Sequence, residues 1–263
     1  AAGLPEAPPG GSRRRWRNAD KSAKVTPMRA VIIGNSAASL AAAEAFRRHD
    51  PDSELFLLAA EGGPAYSRVL LPYYLRGTLS REKLFFRDPA FYEELRVQTR
   101  FGRAVTRVDD RRRAICLGGG EELAWDRLLV ASGSRPVLPR VPGLPGLAGI
   151  HTLWTLADAE CLLPELQPGR RAAFLGAGFV ALQAAWAACA RGLRVTVLEA
   201  LPRVLPKVLD EAGSALLERA MRAHGVDVRC AVGIERVRQP RAGAPLRVEL
   251  SCEDPNVDAN LLV

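Results

Sequence analysis

The pattern of apolar and polar positions repeats one local arrangement twice along the chain. Between Arg171 and Ala200, a short apolar run (Ala172 to Leu175) leads into Gly176-Ala177-Gly178. An Ala-rich stretch from Phe179 to Arg191 comes next, and Gly192 closes it. A second apolar run, Arg194 to Leu198, ends on Glu199. Runs of this length suit buried strands, the Ala-rich stretch suits a helix, and a glycine just past its end is a helix stop. The order is therefore strand, glycine turn, helix, strand. Arg29 to Leu58 repeats it: RAVIIG runs into a turn at Asn35-Ser36-Ala37-Ala38-Ser39, Leu40 to Arg48 is helical, and Glu54 to Leu58 is the next strand.

Elsewhere the periodicity is weaker. Lys83 to Arg87 reads as a strand-like run and Asp88 to Leu95 as a helix. Val105 to Asp109, Ala114 to Leu117 and Glu122 to Trp125 read as a small antiparallel excursion. Val226 to Arg229, Ile234 to Arg238 and Leu246 to Leu250 read as strands completing the second unit, and Val257 to Val263 enters one more strand. The expected fold class is α/β, with two Rossmann-like, three-layer dinucleotide-binding domains.

The second unit carries G-x-G-x-x-A with an acid about 20 positions on, the dinucleotide-binding fingerprint. Gly176 permits the tight turn, Gly178 lets the backbone approach a pyrophosphate, and Ala181 is small enough for close helix–strand packing. The helix start offers unpaired N–H groups and a positive dipole end to phosphate. Glu199 can accept hydrogen bonds from both ribose hydroxyls of NAD and would repel a 2′-phosphate. The first unit keeps Gly34 but has Ser36 and Ser39 at the second and third glycine positions. Serine is small, and its hydroxyl can donate to a phosphate. The acid is displaced, because Ala59 and Ala60 occupy the strand end and Glu61 follows one step later. Two such units in one chain suggest two dinucleotides, commonly a flavin and a nicotinamide.

Composition narrows the picture. At 263 residues, with 48% apolar and 25% charged residues, the chain is long enough for two globular domains. The net charge of +8 is concentrated at the start, where six basic residues face two acidic ones within the first 24. Residues 1–27 are rich in Pro, Gly and charge and are expected to be a disordered basic tail, an upstream extension before the start-like Met28. Trp16 is the single aromatic in the basic run, so stacking on nucleic acid is not expected. Ala172 to Ala190 is uncharged and approaches the length of a membrane span, but it is mostly Ala and carries Gly176 and Gly178, which argues against a span. Five cysteines without C-x-x-C spacing fit a reducing, cytoplasmic compartment, and three scattered histidines make a metal site unexpected.

Four motifs in order carry a family resemblance. VIIGNSAASLAAAEAFR from Val31, the Tyr66-Ser67-Arg68-Val69-Leu70-Leu71-Pro72-Tyr73-Tyr74-Leu75-Arg76-Gly77 element, Trp125 to Pro136, and Gly149 to Ala159 resemble the pyridine nucleotide-disulfide oxidoreductase superfamily. Within it the chain is similar to the branch holding the flavin part of the NADH-nitrite reductase large subunit and the rubredoxin and ferredoxin reductases. The resemblance implies a FAD-binding domain at 28–150, incomplete here, and a NAD-binding domain at 151–263. It also implies a C-terminally truncated sequence, since members continue back into the FAD domain and then into an interface domain. No redox-active disulfide is expected, because Val69 stands where some members have a cysteine.

The resemblance assigns roles residue by residue. Gly34 and the backbone N–H groups of Ser36, Ala37 and Ala38 would meet the FAD pyrophosphate, and Glu61 its ribose. Arg68 would contact FAD as a cation and Pro72 would lie along it. Val105 would sit near the adenine, with Ser132, Gly133 and Arg135 on the flavin side. Gly176, Gly178, Phe179, Val180 and Glu199 would hold NAD(H). Gln183 would lie near the nicotinamide, where members usually have a glutamate, and Tyr73 falls about where ferredoxin reductases have a lysine. No side-chain acid or base is expected to be catalytic. The implied activity is FAD-dependent NAD(P)H oxidation with electrons passed to a redox protein or small acceptor. A non-catalytic nucleotide-binding module and a basic interaction protein are the alternatives.

Overall fold

A computed structural model describes residues 27–144, 146–252 and 255–263. The expected disordered tail therefore lies outside the described residues, apart from Pro27. The first half opens with β1 (Arg29–Ile33), α1 (Ala37–His49) and β2 (Glu54–Ala59), and continues through α2 (Leu71–Arg76), α3 (Pro89–Glu94) and β3 (Val97–Phe101). An antiparallel trio, β4 (Val105–Asp109), β5 (Ala114–Leu117) and β6 (Glu122–Ala124), precedes β7 (Arg127–Val130). Strands β3-β2-β1-β7 form one parallel sheet. Its central strands β1 and β2 are near-continuous apolar runs, and all of β2 except Glu54 is buried, whereas the edge strands β3 and β7 are more polar or more exposed.

The second half repeats the plan. α4 (Leu156–Leu162) leads to β8 (Arg171–Leu175), α5 (Phe179–Ala190), β9 (Arg194–Leu198), α6 (Glu211–Ala223) and β10 (Val226–Arg229). The chain then forms β11 (Ile234–Arg238), β12 (Leu246–Leu250) and β13 (Val257–Ala259) and finishes in β14 (Leu261–Leu262). Strands β10-β9-β8-β14 make the second parallel sheet. Strands β11 and β12 do not extend it as expected. They pair with β13 in a separate antiparallel sheet, because turns rather than helices join them, and a turn can only bring a strand back antiparallel.

The strand-like run at Lys83 to Arg87 also differs. Arg81–Leu84 is a 3₁₀ turn, and Phe85 makes one isolated bridge, to Tyr66. α5 carries no charge, and one face of it is buried: it packs on β8 and β9 and against α2 of the first half. Alanines 184, 185, 187 and 188 are buried there, and their small size permits the close approach. Polar contacts join the halves as well. Leu156 N–H donates to the Tyr66 hydroxyl (2.8 Å), Arg68 to the Trp154 carbonyl (2.8 Å), and Arg191 to the Leu75 carbonyl.

Candidate dinucleotide sites

Both parallel sheets have a point where the strand order reverses, between β1 and β7 and between β8 and β14. Open α/β sheets bind ligands at the carboxyl ends of strands at such points. At the first, a cavity of about 500 Å³ is bounded by the ends of β1, β2 and β7. It brings together Gly34, Ser36, Glu61, Arg68, Val105, Ser132 and Gly133 from across the first half. Gly34 has φ +128°, and a Cβ there would meet the Ala131 carbonyl oxygen at 2.2 Å. Only glycine fits, so the turn hugs β7. Ser36 is the N-cap of α1 and makes no side-chain capping bond, while Ala37 and Ala38 follow as exposed first-turn residues.

Ser39 departs from its expected role. It is fully buried, and its Oγ lies behind Gly34 without a hydrogen-bond partner among the described residues. Its hydroxyl cannot serve a phosphate in the cavity; it stands in for glycine by size alone.

Glu61 and Arg68 form an ion pair in the cavity wall at 2.5 Å. The Tyr66 hydroxyl donates to the Glu61 carboxylate and accepts from Arg68 (3.0 Å) and from Leu156 N–H. Burial, reinforced by the Glu61 hydrogen bond, pushes the Tyr66 phenol up from its ordinary pKa, so it stays protonated and remains a donor. The Arg68 guanidinium also lies over the Trp154 ring, 5.5 Å from its centroid. Sequence reasoning singled out Glu61 and Arg68 but missed Tyr66 and Trp154 as their partners. The available signal was the Tyr66–Arg68 spacing, which puts a phenol beside a cation.

At the second switch point, Gly176 has φ +99° and a Cβ on Gly178 would meet nothing within 4 Å, so the space before it is open. Glu199 closes β9 and its carboxylate accepts from Ala177 N–H (2.6 Å) and Leu201 N–H (2.9 Å). The acid therefore sits against the glycine turn, where the spacing puts it. Gly178 is the N-cap of α5, again without a side-chain cap. Phe179 and Val180 are exposed, at 56% and 45%.

The remaining expected residues separate. Pro72 lines an apolar groove of about 380 Å³ with Tyr73, Phe179, Gln183 and Trp186, between α2 and α5. Arg135 lines a further cavity of about 270 Å³ with His151, Val180 and Ala181. Neither Pro72 nor Arg135 borders the first cavity. Among the described residues no group of three His, Cys, Asp or Glu side chains could hold a metal ion, and no helix is long and apolar enough to cross a membrane.

Comparison with known proteins adds to this geometry. The sequence is 36% identical over 203 residues to the ferredoxin–NAD(+) reductase component of the p-cumate 2,3-dioxygenase system of Pseudomonas putida, covering 77% of this chain and 50% of that protein. It is 29% identical over 233 residues to the epsilon subunit of NADH-dependent phenylglyoxylate dehydrogenase of Aromatoleum evansii, covering 89% and 54%. In three dimensions it resembles the covalent putidaredoxin reductase–putidaredoxin complex with a TM-score of 0.82 and 27% identity, over 89% of this chain and 57% of that one. The chain thus spans about half the length of the relatives it matches. Residues 28–263, which hold both glycine turns and both switch points, match one family throughout: the chain belongs to the pyridine nucleotide-disulphide oxidoreductases.

Proposed function

We propose that the protein is an FAD-dependent NAD(P)H oxidoreductase, with FAD in the first cavity, NADH on the second glycine turn, and electrons passed to a redox protein. The observation that carries this reading is the family match over residues 28–263 together with two switch-point sites in one chain. The domains follow as 28–150 for FAD and 151–263 for NAD. The donor set fits both groups. The turn at Gly34 leaves no room for a side chain, the space before Gly178 is open, and an uncapped helix start faces each site.

When bound, FAD supplies a ring that takes a hydride from the nicotinamide and releases electrons to an acceptor. The chain's own residues supply binding and orientation. Gly34 with the Ser36, Ala37 and Ala38 backbone would cradle one pyrophosphate, and Gly178, Phe179 and Val180 the other. Arg68 offers a cation to the first group; its ion pair with Glu61 holds it in the wall beforehand. Ser132, Gly133 and Val105 shape the remaining wall. Glu199 favours NADH, because a 2′-phosphate would meet its carboxylate. Tyr73 and Gln183 share the apolar groove and offer the nicotinamide end uncharged polar groups, with Arg76 as the one charged residue in its lining. The relatives named as ferredoxin–NAD(+) reductases and the putidaredoxin complex support a small redox protein as acceptor. The free cysteines support a reducing, cytoplasmic setting.

Titration of the purified chain with NADH and NADPH tests the second site. NADH should bind more tightly, and Glu199→Arg should reverse or erase the preference. An unchanged preference would remove Glu199 from the ribose.

A further inference from the structure

We propose that Leu205 is a positioning residue of the second dinucleotide site, an inference that rests on reading Gly176 to Glu199 as an NADH site. Leu205 lies in the connection between β9 and α6 with φ +45°, a left-handed conformation that L residues with a side chain rarely adopt. It is 6% exposed, and its backbone is held on both sides. Its N–H donates to the Ala177 carbonyl (3.1 Å), and its own carbonyl accepts from Val208 (2.9 Å) and Leu209 (3.0 Å). The preceding carbonyl, of Val204, accepts from the buried Ser214 hydroxyl at 2.8 Å. Strain of this kind persists only where the surroundings over-determine it, and it collects at functional sites.

The consequence follows from peptide planarity. The carbonyl of one residue and the N–H of the next point in opposite directions across a trans peptide. The Ala177–Gly178 plane is held by Leu205 N–H on its carbonyl, so Gly178 N–H points away from the connection. The Gly176–Ala177 plane is held by the Glu199 carboxylate on Ala177 N–H. Both planes of the glycine turn are therefore clamped by the segment that begins at Glu199. Leu205 meanwhile borders the apolar groove with Phe179 and Gln183, and it belongs to the buried core cluster beneath that groove. Its backbone thus acts on the pyrophosphate turn and its side chain on the nicotinamide end.

The two actions separate with two ligands, ADP-ribose and NADH, titrated calorimetrically into the full chain, with the thermal midpoint as a check of folding. Leu205→Ile keeps the volume but is β-branched and resists positive φ, so it should weaken both ligands about fivefold or more, the scale of one backbone hydrogen bond. Leu205→Met keeps volume and branching at Cβ and should bind both within about twofold of the parent. Leu205→Gly keeps the backbone and removes the side chain. It should hold ADP-ribose within about twofold while weakening NADH about fivefold.

A folded Leu205→Ile variant that binds ADP-ribose as tightly as the parent would overturn the proposal. If that variant does not fold, Leu205→Gly decides: no difference between its effects on ADP-ribose and NADH overturns the proposal equally. A parent chain that binds neither ligand sinks the NADH reading and this inference together, whereas a binding parent with unaffected variants sinks the inference alone.

Discussion

Gly34 and Gly178 are glycines for opposite reasons. Gly34 has no space for a Cβ, which would overlap the Ala131 carbonyl, while Gly178 has only space. Gly34→Ala should therefore cost roughly 2–5 kcal/mol, combining a backbone clash with positive φ, and chemical denaturation would measure it. Gly178→Ala should cost about 1 kcal/mol or less, the scale of a lost N-cap preference, but weaken NADH about tenfold, because the new methyl enters the space a pyrophosphate needs. A Gly178→Ala protein that binds NADH normally would show that no ligand approaches this turn.

At this scale the sequence was most legible where the backbone makes the demand. The glycines and Glu199 stood out by spacing. Their partners did not, because Glu199 is held by Ala177 N–H and Tyr66 meets Leu156 N–H across 90 positions. Ser39 was misread for a related reason: small size is visible in a sequence, but the direction of a hydroxyl is not.

Helix and strand boundaries follow from patterns that local physics fixes. β8 and β9 coincide with short apolar runs, and the left-handed Gly192 ends the stretch begun at Phe179. The run at Lys83 to Arg87 misled because Leu84 is fully buried, as a strand residue would be, yet it closes a 3₁₀ turn with a single neighbouring bridge. α4 begins with a capping box. Thr155 Oγ1 accepts from Asp158 N–H (3.0 Å), and the Asp158 carboxylate accepts from the N–H groups of Thr155 and Trp154 (2.9 Å each). Thr155→Ala should cost about 1 kcal/mol, read as a lowered thermal midpoint. The same helix start carries the Leu156 contact to Tyr66 and so anchors the wall of the first cavity. A Thr155→Ala chain of unchanged stability would mean that the cap is not what fixes this helix start.

As a whole molecule, the chain contains two parallel sheets, each with its own switch point, and joins its halves through α2, α5 and the Tyr66 and Arg68 contacts. Both units and their order could be read from the sequence, because each is built from contiguous residues. The pairing of β11, β12 and β13 could not, since it depends on which edge the returning chain meets. The groove between α2 and α5 was equally hidden, because it gathers Tyr73 and Gln183 from different halves. Under the proposed function, that gathering would bring the reacting ends of the two dinucleotides together. The decisive observation is the visible flavin band of the purified chain mixed with FAD under anaerobic conditions, followed after NADH is added. Bleaching faster than that of free FAD with the same NADH is the expected result. A rate no different from free FAD would contradict the proposal that the two sites meet for hydride transfer in this chain.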